Sequence, residues 1–192
     1  MTTSSSANPE PTGVRDRILS TATRLFYRDG IRATGIDRVI AEAKVAKASF
    51  YHHFPSKADL VNAFLDLRHR NWMSWYAGAV NARLPVEAFS AVGSALFDWF
   101  EQPDFRGCAF INSWVEFGAD FPIIFDHKEE LRRFIQSVAE RLNLTEPEMA
   151  ATTAMVVIEG AIVRAQMGAR DRLEEAVSTL LKDLSDRDGP AA

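Results

Sequence analysis

The chain has 192 residues, 47% of them hydrophobic, a formal net charge of −4 and one cysteine. One cysteine excludes an intrachain disulfide, and no apolar run approaches the ~20 residues of a membrane span. The N-terminus also lacks the apolar core of an export signal, so the expectation is a cytoplasmic protein with no membrane partner.

The charge is uneven. Through Lys57, nine Lys and Arg stand against five Asp and Glu, a net of +4; from Ala58 onward thirteen stand against twenty-one, a net of −8. A basic head on an acidic body fits a nucleic-acid partner at one end.

Residues 1–13, rich in Ser, Thr and Pro, read as a disordered arm. From Val14 to Arg28 an apolar stripe of Val14, Ile18, Ala22, Leu25 and Phe26 predicts an amphipathic helix, with Gly30 at the left-handed closing position. Thr34 is the expected N-cap of the next helix, with Asp37 completing a capping box. Ile36, Val39, Ile40 and Ala43 give that helix one buried face, and Lys44-Val45 forms the turn.

A second short helix runs from about Ala46 to His53. Phe50 and Phe54 share its inner face, while Lys47, Ser49, Tyr51 and His52 lie on faces that can reach DNA. After Pro55, Ser56 caps a further helix, with Asp59 three residues on. Residues 14–57 therefore read as a three-helix, helix-turn-helix head, in which a short helix held across another can enter the major groove.

The span from Val14 to Leu65 resembles the N-terminal domain of the TetR family of bacterial transcription regulators (TetR/AcrR type). The matching residues are Leu25-Phe26, Gly30, Thr34, Ala43-x-Val45, Lys47, Ser49 and the run Tyr51-His52-His53-Phe54-Pro55-Ser56-Lys57. The chain departs from the family at Gly35, where Ser or Thr is usual, at Lys44, where Gly is usual, and at Ala46 and Ala48, where Ser and Gly are common. The resemblance implies a homeodomain-like head that contacts an operator through Thr34, Gly35, Lys44, Lys47, Ala48, Ser49, Tyr51, His52, His53 and Lys57.

The rest reads as helix with no strand: an all-α body over residues 58–186, a tail over 187–192, and about nine helices in all. A connecting helix is expected from Ser56 to about Val80 or Asn81. Pro85 starts the next, carrying Phe89, Val92, Leu96 and Phe100, and Pro103 and Gly107 break it. Helices follow from about Cys108 to Gly118 and from Pro122 to about Leu142. Thr145, boxed by Glu148, caps one running to about Met167, and the last covers about Asp171 to Leu184.

The final two helices carry more apolar surface than one four-helix body needs. The run Val156 to Ala161 resembles the family's dimer-forming element, which implies a homodimer joined through Val156, Val157, Gly160, Ala161, Arg164, Val177, Leu180 and Leu181. Two heads about one helical turn apart then read a palindrome with half-sites ~34–36 Å apart or a multiple of that. The alternative is that these helices only close the monomer core.

The middle of the chain is strongly aromatic, and Trp72, Trp75, Tyr76, Phe97, Phe100, Phe110, Asn112, Trp114, Glu116 and Phe117 are candidate residues for a small-molecule effector site. Ordinary core packing reads the same way. Arg106-Gly107-Cys108-x-Phe110-x-Asn112-x-x-x-Glu116 resembles a motif of a subset of TetR-type regulators. Asn112 and Glu116, four apart, can grip a ligand group together. Equally, Glu116 can pair with an arginine, and Asn112 can satisfy backbone near Gly107. Cys108 reads either as a reactive thiol at a helix N-terminus beside Arg106 or as a buried space-filler.

Catalytic chemistry finds no support. His52 and His53 point apart and make a poor metal pair, His69 and His127 have no ligand cluster at suitable spacing, and no phosphate loop follows a strand. No metal or cofactor is expected. The reading is a ligand-responsive regulator, most simply a repressor. The alternative is a helical small-molecule-binding or adaptor protein with a non-functional head.

Overall fold

The computed structural model describes residues 13–187, all of whose regular structure is helical. The expected arm and tail lie almost wholly outside the described residues. The chain divides into two compact units, one ending at Phe64 and the other beginning at Leu65.

In the first unit, α1 spans Val14–Asp29, α2 Ile36–Ala43 and α3 Lys47–His53. α1 buries Ile18, Leu19, Ala22, Leu25 and Phe26 along one stripe. It closes at Gly30, whose φ of 90° favours a residue without Cβ and whose N–H returns to the Phe26 carbonyl at 3.1 Å. α4 begins at Lys57, and its first turns bury Leu60, Val61 and Phe64. The Phe64 ring meets Phe26 edge-on with centroids 5.6 Å apart. That apolar seam is why the head's unit extends past Lys57 to Phe64.

The capping expectations divide. At Ser56 the Asp59 N–H donates to Ser56 Oγ at 3.1 Å, and the Ser56 hydroxyl donates to the Asp59 carboxylate at 2.7 Å. At Thr34 the expected box does not form. Thr34 is fully buried, its hydroxyl donates to the Gly30 carbonyl at 2.8 Å, and the N-cap of α2 is Gly35, which has no side chain to offer. Thr34 thus ties the α1–α2 loop to the end of α1. α8 begins at Pro147, and its N-cap Glu146 makes no side-chain cap bond.

In the second unit, α4 continues to Glu87 as one helix of 31 residues, roughly 46 Å long. The break expected near Asn81 is absent, and Pro85 sits in the last turn rather than starting a new helix. Tyr76, Val80 and Leu84, spaced four apart, are buried along that stretch. Their packing holds the turn despite the hydrogen bond that proline removes.

The chain then passes through a short 3-10 turn (Ala88–Ser90) into α5 (Ala91–Phe100), α6 (Ala109–Phe117), α7 (Ile123–Arg141), α8 (Pro147–Gln166) and α9 (Leu173–Arg187). α8 packs between α7 and α9, and α5 packs on both α8 and α9. Gly93 permits the α5–α9 approach: a Cβ there would lie 2.5 Å from Leu181 Cδ1 and 2.7 Å from Val177 Cγ1. Among the described residues no helix is long and apolar enough to cross a membrane.

Candidate nucleic-acid interface and effector region

The head presents α3 outward on an apolar footing. Phe50 and Phe54 are buried beneath it, with centroids 6.2 Å apart. Tyr51 is 41% exposed, and its ring packs edge-on against Phe50 at 5.2 Å, which limits where the phenol can point. Lys44, Lys47, Ala48 and His52 are exposed, while Ser49, His53 and Lys57 are half-buried. Lys47 Nζ lies 3.5 Å from the Asp37 carboxylate on α2, a solvated pair that DNA phosphate can outcompete. Gly35 is exposed at the α2 N-terminus, with open space where a Cβ would stand. Thr34, expected in the contact set, is instead a buried loop tie.

Lys44 closes α2 at φ 54°, ψ 50°, the left-handed region. The Val45 N–H returns to Ile40 at 3.3 Å, so the turn geometry is the one glycine usually serves, here carrying a cation.

Several other basic residues of the head make contacts within it. Arg24 pairs with Glu42 at 2.7 Å, and Arg38 bridges Asp29 (2.9 Å) and Glu42 (3.0 Å), fastening α1 to α2. Hydrogen bonds from Arg24 and then Arg38 hold the Glu42 carboxyl below its usual range, and the Arg28 side chain holds Asp29 down to about 2. Arg15 places its guanidinium 5.2 Å from the Phe54 ring centroid.

In the second unit, the expected effector residues separate. Trp72, Tyr76, Phe100 and Phe110 are buried, Phe97, Asn112, Glu116 and Phe117 are half-buried, and Trp75 and Trp114 are 38% and 51% exposed. Trp72 stacks on Tyr76 at 4.8 Å, and the Tyr76 hydroxyl donates to the Val92 carbonyl at 2.5 Å. Burial raises the Tyr76 phenol far above its ordinary range.

Asn112 is spent on the fold. Its Nδ2 donates to the Arg106 carbonyl and its Oδ1 accepts from Gln166 Nε2, each at 3.1 Å. Gly107, at φ 82°, lies so close to the Gln166 side chain that a Cβ would come within 2.0 Å of its amide oxygen. Of the two roles open to Asn112, the structure shows the backbone one. Cys108 is the N-cap of α6 and is 5% exposed, which withdraws the thiol from solvent.

His69 and His127 were missed as a pair. Their Nδ1 atoms lie 3.0 Å apart, His69 Nε2 lies 3.2 Å from Glu130, and His127 stacks flat on Phe110 at 3.7 Å. Burial, with Lys128 and His69 adding to it, pushes the His127 imidazole down to about 2. The available signal was spacing: His69, Trp72 and Tyr76 recur at i, i+3 and i+7.

On α8 and α9, Val156 (70%) and Leu180 (51%) are exposed apolar residues; Gly160 and Arg164 are exposed and Val157 is half-buried. Ala161, Val177 and Leu181, expected at the same interface, are buried within the monomer, where Val177 and Leu181 pack against α5 at Gly93. Met149 and Val163 are also exposed, and with Val156 they form a seven-residue repeat that Met167 extends. Between α8 and α9 lies a groove of about 920 Å³, lined among others by Val156, Gly160, Ala176 and Leu180.

A family sequence model described as "Bacterial regulatory proteins, tetR family" matches residues 18–64. HTH-type transcriptional regulator LmrA of Bacillus subtilis (strain 168) is 49% identical over 41 residues, 21% of this chain and 22% of LmrA. HTH-type transcriptional repressor KstR2 of Mycolicibacterium smegmatis is 29% identical over 97 residues, 48% of this chain and 45% of KstR2. The chain thus aligns with less than half the length of these two relatives. The crystal structure of SCO4454, a TetR-family transcriptional regulator from Streptomyces coelicolor, superposes with a TM-score of 0.83 at 28% identity, covering 93% of this chain and 91% of that one. With the head motif, the matched family model and a fold shared over nearly the whole chain in agreement, the chain belongs to the TetR family of bacterial regulatory proteins.

Proposed function

We propose that the chain is a ligand-responsive, DNA-binding transcriptional regulator rather than an enzyme, acting in the cytoplasm as a homodimeric repressor on a near-palindromic operator. The observation that carries this reading is α3: a short helix seated on buried Phe50 and Phe54 that turns Lys47, Ala48, Tyr51 and His52 outward, with Lys44 beside it on the turn. Side chains on one exposed helix face reach base edges, and lysines flanking it hold phosphates and fix the docking register.

The dimer forms through the exposed α8 repeat and the α8–α9 groove, where Gly160 lets a second helix approach closely. A small molecule taken up among the aromatic helices of the second unit shifts α4, whose first turns belong to the head. The two heads then no longer match the half-site spacing, and operator affinity falls because the ligand favours the other arrangement.

Titration of the purified protein against labelled DNA from upstream of its own gene, at two salt concentrations and with random DNA as control, tests the reading. Selective binding that weakens steeply with salt is expected. Equal binding to both DNAs at either salt, with no selective site found elsewhere in the genome, overturns it in favour of a helical adaptor.

A further inference from the structure

Asp37 stands apart among the acids of the head. Asp29 and Glu42 are tied to Arg24, Arg28 and Arg38, and Asp59 to Ser56. Asp37 sits in the first turn of α2 with its side chain 88% exposed, and its carboxylate lies 3.5 Å from Lys47 Nζ at the start of α3. Lys47 and Tyr51, four residues apart and both exposed, share one face of α3. The contact with Lys47 therefore brings Asp37 to the edge of the surface read as DNA-facing.

A carboxylate at that edge works against DNA of arbitrary sequence. The helix dipole favours an acid in a first turn, but phosphates repel it, and a phosphate that draws Lys47 away leaves Asp37 without its lysine. A G·C pair offers other terms. In the major groove guanine presents the acceptors O6 and N7, and cytosine beside it presents its N4 amine, a donor about 2.9 Å from O6. An ammonium and a carboxylate 3.5 Å apart have the complementary order. Lys47 can donate to guanine while Asp37 accepts from cytosine, and the two side chains stay together.

We propose that Asp37 is a specificity-determining residue: with Lys47 it reads one G·C pair in each half-site, and its charge disfavours DNA that offers no amine at that place. An A·T pair also carries an amine, but its two acceptors lie on either side of that amine, so lysine loses the adjacent pair of acceptors that guanine supplies. The proposal rests on the reading of the head as a DNA-binding domain.

Enrichment of sites from a random duplex pool, followed by titration of the enriched site and of random DNA, tests it on the wild type and Asp37→Ala. Wild type is expected to prefer G·C about tenfold at one position of each half-site. Asp37→Ala should bring that preference within about twofold, leave the other positions unchanged, and bind random DNA about two- to fivefold more tightly. The gain on random DNA separates a reading role from a mere tie between α2 and α3, whose loss weakens binding to every sequence alike. Should Asp37→Ala not fold, N4-methylcytosine at that pair decides the matter on the wild type. It keeps its pairing proton but turns a methyl group to the groove, and about tenfold weaker binding is expected. No enriched site for the wild type overturns the DNA-binding reading and this proposal with it. An enriched site whose base preferences all survive Asp37→Ala, equal weakening on specific and random DNA, or unchanged affinity for the methylated site overturns the proposal alone.

Discussion

Lys44 shows how one residue trades stability for charge. Its φ of 54° costs a side-chain-bearing residue roughly 1–2 kcal/mol relative to glycine, partly offset because glycine loses more entropy on folding. Lys44→Gly should therefore stabilise the chain by about 0.5–1 kcal/mol in denaturant unfolding. The same change should lower the salt dependence of DNA binding by about one phosphate contact. A less stable variant with an unchanged salt slope contradicts both halves of the account.

His127 makes the complementary case in the interior. Its imidazole is held down to about 2 against an ordinary 6.5, so the folded state refuses a proton that the unfolded chain accepts. Below about pH 6.5 the unfolded state binds that proton, and stability falls as pH drops, by up to about 1.4 kcal/mol per pH unit. Wild type should lose about 1 kcal/mol more than His127→Gln between pH 7.5 and 5.5; parallel losses in urea unfolding place the titrating group elsewhere.

At the scale of elements, α3 and α6 show two ways of fixing a short helix. α3 has seven residues and no side-chain cap, so its position comes from Phe50 and Phe54 rather than from its own ends. Tyr51 stands on that footing without supplying it. Tyr51→Ala is expected to cost roughly 1–3 kcal/mol of specific operator binding while leaving thermal unfolding nearly unchanged.

α6 is fixed at its start by a loop that α8 reaches: Gln166 holds Asn112, Asn112 holds the Arg106 carbonyl, and Gly107 leaves the space. Gly107→Ala must push Gln166 away and adopt a positive φ, for a loss of roughly 2–3 kcal/mol. In a Gln166→Ala background only the backbone cost remains, so the same change should lose about 1 kcal/mol less. Simple additivity in that double-mutant cycle would mean the two residues are independent.

For the whole molecule, the exposed repeat of Met149, Val156 and Val163, with Leu180 across the groove, is apolar surface that a lone chain leaves in water. Val156→Asp with Leu180→Asp places charges in that surface without touching the buried Ala161, Val177 and Leu181. The pair should yield monomers in sedimentation velocity, still folded by circular dichroism, with operator affinity down by about 100-fold or more once one head binds alone. Retention of the dimer moves the interface off α8 and α9.

Periodicity and local motifs made much of this protein legible before folding. The α1 stripe, the inward Phe50 and Phe54, the Ser56–Asp59 cap and the run Tyr51 to Lys57 rest on residues within a turn or two of one another, and local geometry determines them. The family itself was readable from that head. Where distant elements compete for the same group, sequence was insufficient. Thr34 had a cap within reach but bonds Gly30 instead, and Pro85 had a break to make but is held in α4 by Tyr76, Val80 and Leu84. Asn112 was claimed by Gln166, 54 residues away, and His69 met His127 across 58. Which apolar residues of α8 and α9 face inward was likewise a tertiary outcome. Ala161, Val177 and Leu181 have the character of Val156 and Leu180, and only the position of α5 assigns Val177 and Leu181 to the core while Val156 and Leu180 stay at the surface.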